Sequence, residues 1–263
     1  MPAGMDSARL ITIPFSHYCE KARWALDAAG VGYREEAHPP VFHLRATRAV
    51  GGQSVPVLVH GTAVARDSTD IALYVDTLAP PERRLLPDDP PRRARVLALE
   101  DELDETLGID ARLLVYWHWL AEGETARAFV ARMMGLRSPL VQRAVATAFR
   151  ALIFRKYKVS EPAARRAVTR VRETFARLEP ALGQTKYLAG ERFTLADLTL
   201  AALASPLLAP PEHPILGGAR RVTAPAAFAA LREELSSTPV GRHALHVYRD
   251  HRRTLPEARS AVA

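Results

Sequence analysis

Two side chains near the start of the chain, Ser16 and Cys19, stand where thiol chemistry could be supported. The short β-branched run 10–13 predicts a buried strand, Pro14 ends it, and an amphipathic helix is predicted over 20–29. Ser16 occupies the N-cap position of that helix, beside unpaired backbone N–H groups at the positive end of its dipole, which suits a bound thiolate. The alternative is a plain helix cap. Cys19, in the first turn, has either a depressed thiol pKa or a packing role.

Two dipeptides further along are the other candidates for a binding site. Val55-Pro56 opens the otherwise regular strand 55–59, where a proline is unexpected unless it lies at an edge or in a special turn. Asp67-Ser68 opens a predicted helix that ends at Leu78, so these residues either cap it or hold an anion at its N-terminus.

The elements around these residues are predicted by periodicity. The first 78 residues follow the order β-α-β, then a loop or helix, then β-β-α. A proline-rich segment over 79–92 predicts a domain boundary, because prolines interrupt helices. Everything after it has helical spacing. The predicted helices cover 93–120 with a break at Gly108, 124–134, 139–157, 162–182, 194–207, 225–235 and 241–253.

These motifs together resemble the glutathione S-transferase superfamily. The strand-turn-helix around Ser16 is similar to its thioredoxin-like opening, in the serine/cysteine type rather than the tyrosine type. Ser16 to Cys19 also resembles a glutaredoxin Cys-x-x-Cys motif in which Ser replaces the first Cys. Phe193-Thr194-Leu195-Ala196-Asp197 resembles the capping motif of the family's helical domain.

The resemblance implies an α/β thioredoxin-like N-terminal domain with a mixed four-stranded sheet, followed by an all-α C-terminal domain. The expected divisions are a glutathione-binding domain over 8–78, a linker over 79–92 and a helical domain over 93–255 that forms the electrophile pocket. It also implies a cis bond at Val55-Pro56, whose backbone pairs with the cysteinyl unit of glutathione. No metal is expected.

The resemblance further assigns roles to individual residues. Ser16 would donate a hydrogen bond to the glutathione sulfur, and Cys19 is the second catalytic candidate. Glutathione binding is expected from Gln53, Ser54, Val55, Pro56, Asp67 and Ser68, with His43 a weaker candidate near the glycyl carboxylate. The electrophile pocket is expected to include Leu113, Tyr116, Trp117 and Leu120.

Composition restricts the function classes. The chain has 263 residues, 48% of them hydrophobic, and no uninterrupted apolar run of about 18 residues, so no membrane span is expected. One cysteine excludes an intrachain disulfide and fits the cytoplasm. Residues 1–80 carry seven Lys and Arg against eight Asp and Glu, whereas residues 81–263 carry 29 against 21. The basic excess has helical spacing without interleaved aromatic residues, which favours a solvated surface over nucleic-acid binding.

The predicted function is therefore a dimeric, cytoplasmic glutathione transferase of the detoxification type, which attacks a small apolar electrophile with the thiol of glutathione. Two alternatives stay open at this point: a thiol transferase or peroxidase that uses Cys19, and a non-catalytic ligand-binding member of the superfamily. A different cosubstrate thiol is a further alternative.

Overall fold

The computed structural model describes residues 8–121, 123–216 and 223–252, in which a four-stranded sheet is followed by a set of packed helices. The strands are β1 (Ala8–Thr12), β2 (Tyr33–Ala37), β3 (Val57–His60) and β4 (Ala63–Ala65). The helices among and after them are α1 (His17–Ala29), α2 (His43–Ala49), α3 (Ser68–Leu78), α4 (Pro90–Glu105), α5 (Leu107–Leu120), α6 (Gly123–Met134), α7 (Pro139–Tyr157), α8 (Glu161–Leu182), α9 (Leu195–Leu208), α10 (Ala226–Ser237) and α11 (Pro239–His251).

The sheet has the order β2-β1-β3-β4 and is mixed. β1 pairs with β2 in parallel and with β3 in the antiparallel direction, and β3 pairs antiparallel with β4. Leu10 and Ile11 in β1 are fully buried, and α1 packs against α3. This arrangement confirms the predicted thioredoxin-like sheet and brings the loop after β1 beside the start of β3.

The helical part is organised around α9, which is apolar on all sides and therefore buried along nearly its whole length. It contacts α1, α4 and α5 on the one hand and α10 and α11 on the other. Its predicted capping box is present: the Thr194 N–H donates to Asp197 Oδ2 at 3.1 Å, and Asp197 Oδ1 also accepts from the Leu188 N–H at 2.9 Å.

α6 and α7 form a hairpin with a small hydrophobic core of its own. This core consists of buried residues from the end of α5, the hairpin and the turn into α8, among them Leu120, Val130 and Phe149. The hairpin packs on α5, while α5 and α8 pack directly against each other. The hairpin is thus an addition to the main helical core rather than part of it.

Two predicted boundaries are corrected by the structure, and one open alternative is settled. The helix expected over 93–120 breaks at Thr106 rather than at Gly108. α4 begins at Pro90, inside the segment expected to be a linker, because prolines fit the first helical positions, where the N–H has no helical partner. The segment between β2 and β3 contains the short helix α2. The predicted end of the helical domain at residue 255 lies outside the described residues.

Candidate active site

Ser16 caps α1 and keeps its hydroxyl proton available. Its backbone is extended, and its Oγ accepts the Cys19 N–H at 3.3 Å. The Ser16 N–H donates to Ile13 O at 3.1 Å, which fixes the turn between β1 and the helix. The predicted N-cap is confirmed. Because a hydroxyl can accept and donate at once, the O–H can donate as well, either to the Cys19 sulfur or to a ligand atom.

Cys19 is fully buried under the same helix. Burial raises the pKa of its thiol, although Arg23 and the Ser16 hydroxyl act in the opposite direction. A buried thiol of raised pKa is protonated at neutral pH and is a poor nucleophile. The geometry therefore favours packing over catalysis at Cys19.

Val55 lies at the edge of the turn that carries Ser16. The Val55-Pro56 peptide bond is cis, as predicted. β3 pairs with β1 so that Val57 faces Ile11. Continuing this antiparallel register by two residues places Val55 opposite Ile13, next to the turn that ends in Ser16. Pro56 is buried and Val55 is half-buried.

The N-terminus of α3 presents a capping carboxylate and a buried hydroxyl. Asp67 is exposed, and its Oδ1 accepts the Thr69 N–H at 2.7 Å. Ser68 is fully buried, and its Oγ has no hydrogen-bond partner within the described part of the chain. A buried hydroxyl without a partner is unfavourable, which distinguishes Ser68 from an ordinary exposed residue of a first helical turn.

A buried lysine joins the two helix N-termini. Lys21 Nζ donates to Thr69 Oγ1 at 3.0 Å and to Asp104 Oδ1 at 2.6 Å, and it also forms an ion pair with Glu100. Burial raises the pKa of Glu100 while Lys21 opposes the rise. These contacts tie α1, α3 and α4 together directly behind Ser16 and Ser68.

The first turn of α1 is also fastened to the break between α4 and α5. His17 Nε2 lies 2.8 Å from Gly108 O, and Tyr18 Oη donates to Asp104 O at 3.0 Å. Burial, followed by the charge of Arg112, lowers the pKa of His17 to about 3. A neutral His17 must donate from Nε2, because a carbonyl oxygen only accepts.

The sequence reasoning missed Lys21, Glu100, Asp104 and His17. In the sequence each of them is only a charged or polar residue on a helix face that otherwise carries apolar residues. This pattern does not show which residue it contacts. The partners of Lys21 and His17 lie 48 to 91 positions away in the chain.

Of the four residues predicted to line the electrophile pocket, three are partly exposed in the structure and one is fully buried. Tyr116 is half-buried beside Tyr157 of α7, with ring centroids 5.4 Å apart, and Trp117 packs near Phe154. Leu113 is partly buried against the main core. Leu120 is fully buried in the small core of the hairpin, so it offers no surface to a ligand and we leave it out of the site.

The other residues predicted to bind glutathione lie outside the turn between β1 and α1. Gln53 and Ser54 are exposed just before Val55. His43 begins α2 and is half-buried, and burial together with Lys156 lowers its pKa. The influence of Lys156 shows that the end of α7 reaches toward α2. Within the described residues, no three His, Cys, Asp or Glu side chains are grouped as metal ligands would be.

Comparison with known families decides the identity. Residues 10–83 match the family model of the glutathione S-transferase N-terminal domain, and residues 131–217 match that of the C-terminal domain. The chain belongs to the glutathione S-transferase superfamily. The two domain matches lie in the order in which the sequence motifs predict them. No curated protein sequence matches this transferase-family chain.

Solved structures of the family share its fold. The theta class glutathione S-transferase of Xanthomonas axonopodis pv. citri, crystallised with glutathione bound, is 23% identical, with a TM-score of 0.55 over 92% of this chain and 98% of that one. A glutathione S-transferase from Sinorhizobium meliloti is 19% identical, with a TM-score of 0.55 over 94% and 100%. The beta-etherase LigF from Sphingobium sp. strain SYK-6 is 18% identical, with a TM-score of 0.57 over 92% and 99%. At these identities the likeness concerns the fold.

No helix among the described residues combines the length and apolar character needed to cross a membrane.

Proposed function

We propose that this protein is a glutathione-dependent transferase in which Ser16 activates the thiol of bound glutathione. The observation that carries the proposal is the pairing of two serines at adjacent helix N-termini. The Ser16 hydroxyl can donate as well as accept, and the buried Ser68 hydroxyl has no partner among the described residues. Lys21, bound to Thr69, holds the two helices side by side. Together they form a cradle for a peptide with a thiol at one point and a carboxylate at another.

Each part of glutathione has a proposed partner in this cradle. The γ-glutamyl carboxylate lies at the N-terminus of α3, where it accepts from Ser68 and free backbone N–H groups, and Asp67 faces the α-amino group. The cysteinyl backbone pairs with Val55. Gln53 and Ser54 bind the glycyl end. In this proposal residues 8–78 bind glutathione, and the helical domain supplies the electrophile side through Leu113, Tyr116 and Trp117.

The proposed reaction is a displacement by the glutathione thiolate. The Ser16 hydroxyl donates to the sulfur and favours the thiolate over the thiol, so the thiol proton passes to solvent before attack. A carbon–sulfur bond then forms as the bond to the leaving group breaks, and the leaving group departs with the electron pair. The protein forms no covalent bond to substrate.

Calorimetric titration with glutathione tests the binding site. We expect Ser68→Ala to weaken binding about tenfold, because the carboxylate loses a hydrogen bond from a buried donor. Asp67→Ala is expected to weaken it as well. Asp89→Ala is the matched control, since Asp89 caps α4 in the same way, with Oδ2 accepting the Arg92 N–H at 3.0 Å, but lies away from the cradle. Absence of wild-type binding would refute the glutathione site.

We extend the proposal to a cytoplasmic homodimer that removes reactive compounds, paired through the N-terminal domain of one subunit and the helical domain of the other. Leu78 and Ile109 are apolar surface residues, one in each domain, and both are 45% exposed. Such a pairing would cover them. Sedimentation analysis of the wild type and of Leu78→Asp tests the dimer: we expect a dimer and a monomer, respectively.

A further inference from the structure

Arg112 of α5 is a partly buried cation with aromatic neighbours and, in the part of the chain that the structure describes, no carboxylate partner. Its guanidinium carbon lies 4.6 Å from the ring centroid of Tyr157 and 5.6 Å from that of Tyr18. Within the described part of the chain, Arg112 forms no ion pair or side-chain hydrogen bond that would neutralise it. The two rings hold the guanidinium in place by cation–π attraction without using its N–H donors.

The carboxylates that surround this position are all engaged elsewhere. Asp104, Asp67 and Asp110 are close enough to raise the pKa of Tyr18, although burial contributes more. Asp104 binds Lys21, Asp67 caps α3, and Asp110 forms a bidentate ion pair with Arg170. Arg112 is therefore the cation in this region whose charge no carboxylate among the described residues neutralises. Its positive charge acts on His17 and Tyr116 as well as on Tyr18.

Arg112 lies on the electrophile side of the proposed site. Tyr18, whose ring faces Arg112, lies two residues after Ser16 in the first turn of α1, so their Cα atoms are about 5 Å apart. Leu113 follows Arg112 in α5, and Tyr116 stands one turn further along, beside Tyr157. The cation therefore lies against the ring of a residue in the turn that Ser16 caps, and on the same helix as the residues proposed to contact the electrophile.

We propose that Arg112 is a specificity-determining residue that binds a carboxylate on the electrophile, so that the preferred substrates are acidic aromatic compounds. A guanidinium matches a carboxylate through two parallel N–H donors. The rings of Tyr18, Tyr116 and Tyr157 suit an aromatic substrate body. This inference rests on the proposed transferase function and replaces the wholly apolar electrophile that the sequence predicted.

A pair of matched electrophiles tests the proposal. In chlorodinitrobenzene and chloronitrobenzoate the glutathione thiolate displaces chloride from the ring, and the second compound carries a carboxylate where the first has a nitro group. We expect Arg112→Met to lower kcat/KM for chloronitrobenzoate by about tenfold to a hundredfold, the range for losing a hydrogen bond to a charged group. The loss with chlorodinitrobenzene should stay below about threefold. Equal losses, or no loss, with the two compounds would overturn the proposal.

Two further variants make the comparison specific. Arg143→Met removes the same charge from the exposed face of α7 and should leave both activities unchanged. Arg112→Lys keeps the charge and its contact with the rings but not the two parallel donors. It should lower kcat/KM for chloronitrobenzoate by at least about threefold, and it decides the question if Arg112→Met does not fold.

A binding measurement separates this inference from the transferase proposal. Nitrobenzoate has no leaving group, so its binding can be titrated calorimetrically without glutathione and without turnover. We expect wild type to bind it and Arg112→Met to bind it at least about tenfold more weakly. Glutathione binding should be the same in both proteins. If wild type does not bind nitrobenzoate, or if Arg112→Met weakens glutathione binding alone, Arg112 does not bind the electrophile.

Discussion

The Ser16 side chain has two separable tasks, and both follow from its place at the start of α1. As an N-cap it accepts the Cys19 N–H through one oxygen lone pair. As a donor, in the function proposed above, it offers its proton to the sulfur of bound glutathione. The first task stabilises the helix by about 1 kcal/mol, and the proposed second task affects only the bound thiol.

We predict that Ser16→Ala destabilises the protein by about 1 kcal/mol and lowers kcat about a hundredfold, because the thiolate loses a preorganised donor. Ser160→Ala is the matched control. Ser160 caps α8, with its Oγ accepting the Ala163 N–H at 3.4 Å, and lies in the helical domain. It should lose similar stability and keep full activity. Urea unfolding and steady-state kinetics measure the two effects, and an active Ser16→Ala would contradict the assigned role.

Cys19 is predicted to be inert in the folded protein. Its thiol is fully buried and its pKa is raised chiefly by burial, so a water-soluble thiol reagent should react only after unfolding. Cys19→Ala should keep kcat within about twofold of wild type, since the side chain does not touch substrate in the proposed site. If this variant is inactive while Ser16→Ala is active, the redox alternative is correct.

At the scale of elements, the break between α4 and α5 positions the first turn of α1. Asp104 O and Gly108 O flank the break, and they accept from Tyr18 and His17 respectively. Gly108 permits the close approach: a Cβ there would lie 2.4 Å from Tyr18 Oη and 2.8 Å from Cζ. A glycine inside a helix is explained here by the neighbouring ring rather than by backbone conformation.

We predict that Gly108→Ala displaces Tyr18 and the turn that Ser16 caps. The clash should cost roughly 1–3 kcal/mol of stability and lower kcat more than it changes the KM for glutathione. Gly123→Ala is the matched control, because Gly123 also lies in a helix and has no atom within 4 Å of an added Cβ. That variant should behave as wild type or be slightly more stable. Equal behaviour of the two variants would rule out the positioning role.

At the scale of the whole molecule, buried charges connect the end of the chain to its beginning. Arg252, just after α11, binds Glu20 at 2.6 Å and Asp27 at 2.7 Å on α1. Arg23 of the same helix binds Glu35 of β2 at 2.7 Å. α1 therefore presents charged side chains to the sheet domain and to the C-terminal helices at once. If one partner of such a pair is removed, the other is left as a buried charge without a counter-ion, which is strongly unfavourable. Each pair is therefore stable only when both of its elements are packed in place.

Two buried histidines make the fold sensitive to acid. Burial lowers the pKa of His17 to about 3 and that of His213 to about 4, from the usual 6.5. His213 Nδ1 accepts the N–H groups of Ile215 and Leu216 at 3.1 and 3.0 Å, so protonation would break both bonds. Below about pH 6.5 the two histidines bind protons in the unfolded chain but stay neutral in the folded protein. Stability is therefore complete above that pH and declines as the pH falls toward 4 and then 3.

We predict that the urea midpoint of unfolding falls steadily between about pH 7 and pH 5, before most carboxylates titrate. His213→Asn should reduce this slope, because Asn can accept the same backbone N–H groups and does not titrate. The same measurement at each pH on both proteins is the test. A constant wild-type midpoint over this range would show that the histidines take up protons in the folded state.

The sequence by itself determined the local features: the order of strands and helices in the first 78 residues, the Ser16 and Asp67 caps and the capping box at Thr194. These depend on contacts within a few residues, which spacing reveals. α2 was left open because it has seven residues and no side-chain cap.

Only the tertiary structure decided which charged side chains are buried and what they bind. In sequence, Lys21 and Arg112 are ordinary helix residues. In the fold, Lys21 is enclosed by Glu100, Asp104 and Thr69, whereas Arg112 contacts two tyrosine rings and, among the described residues, pairs with no carboxylate. The physical reason is that the neighbours that neutralise a charge, or fail to, lie 45 to 94 positions away in the chain, and they come close only when the helices pack.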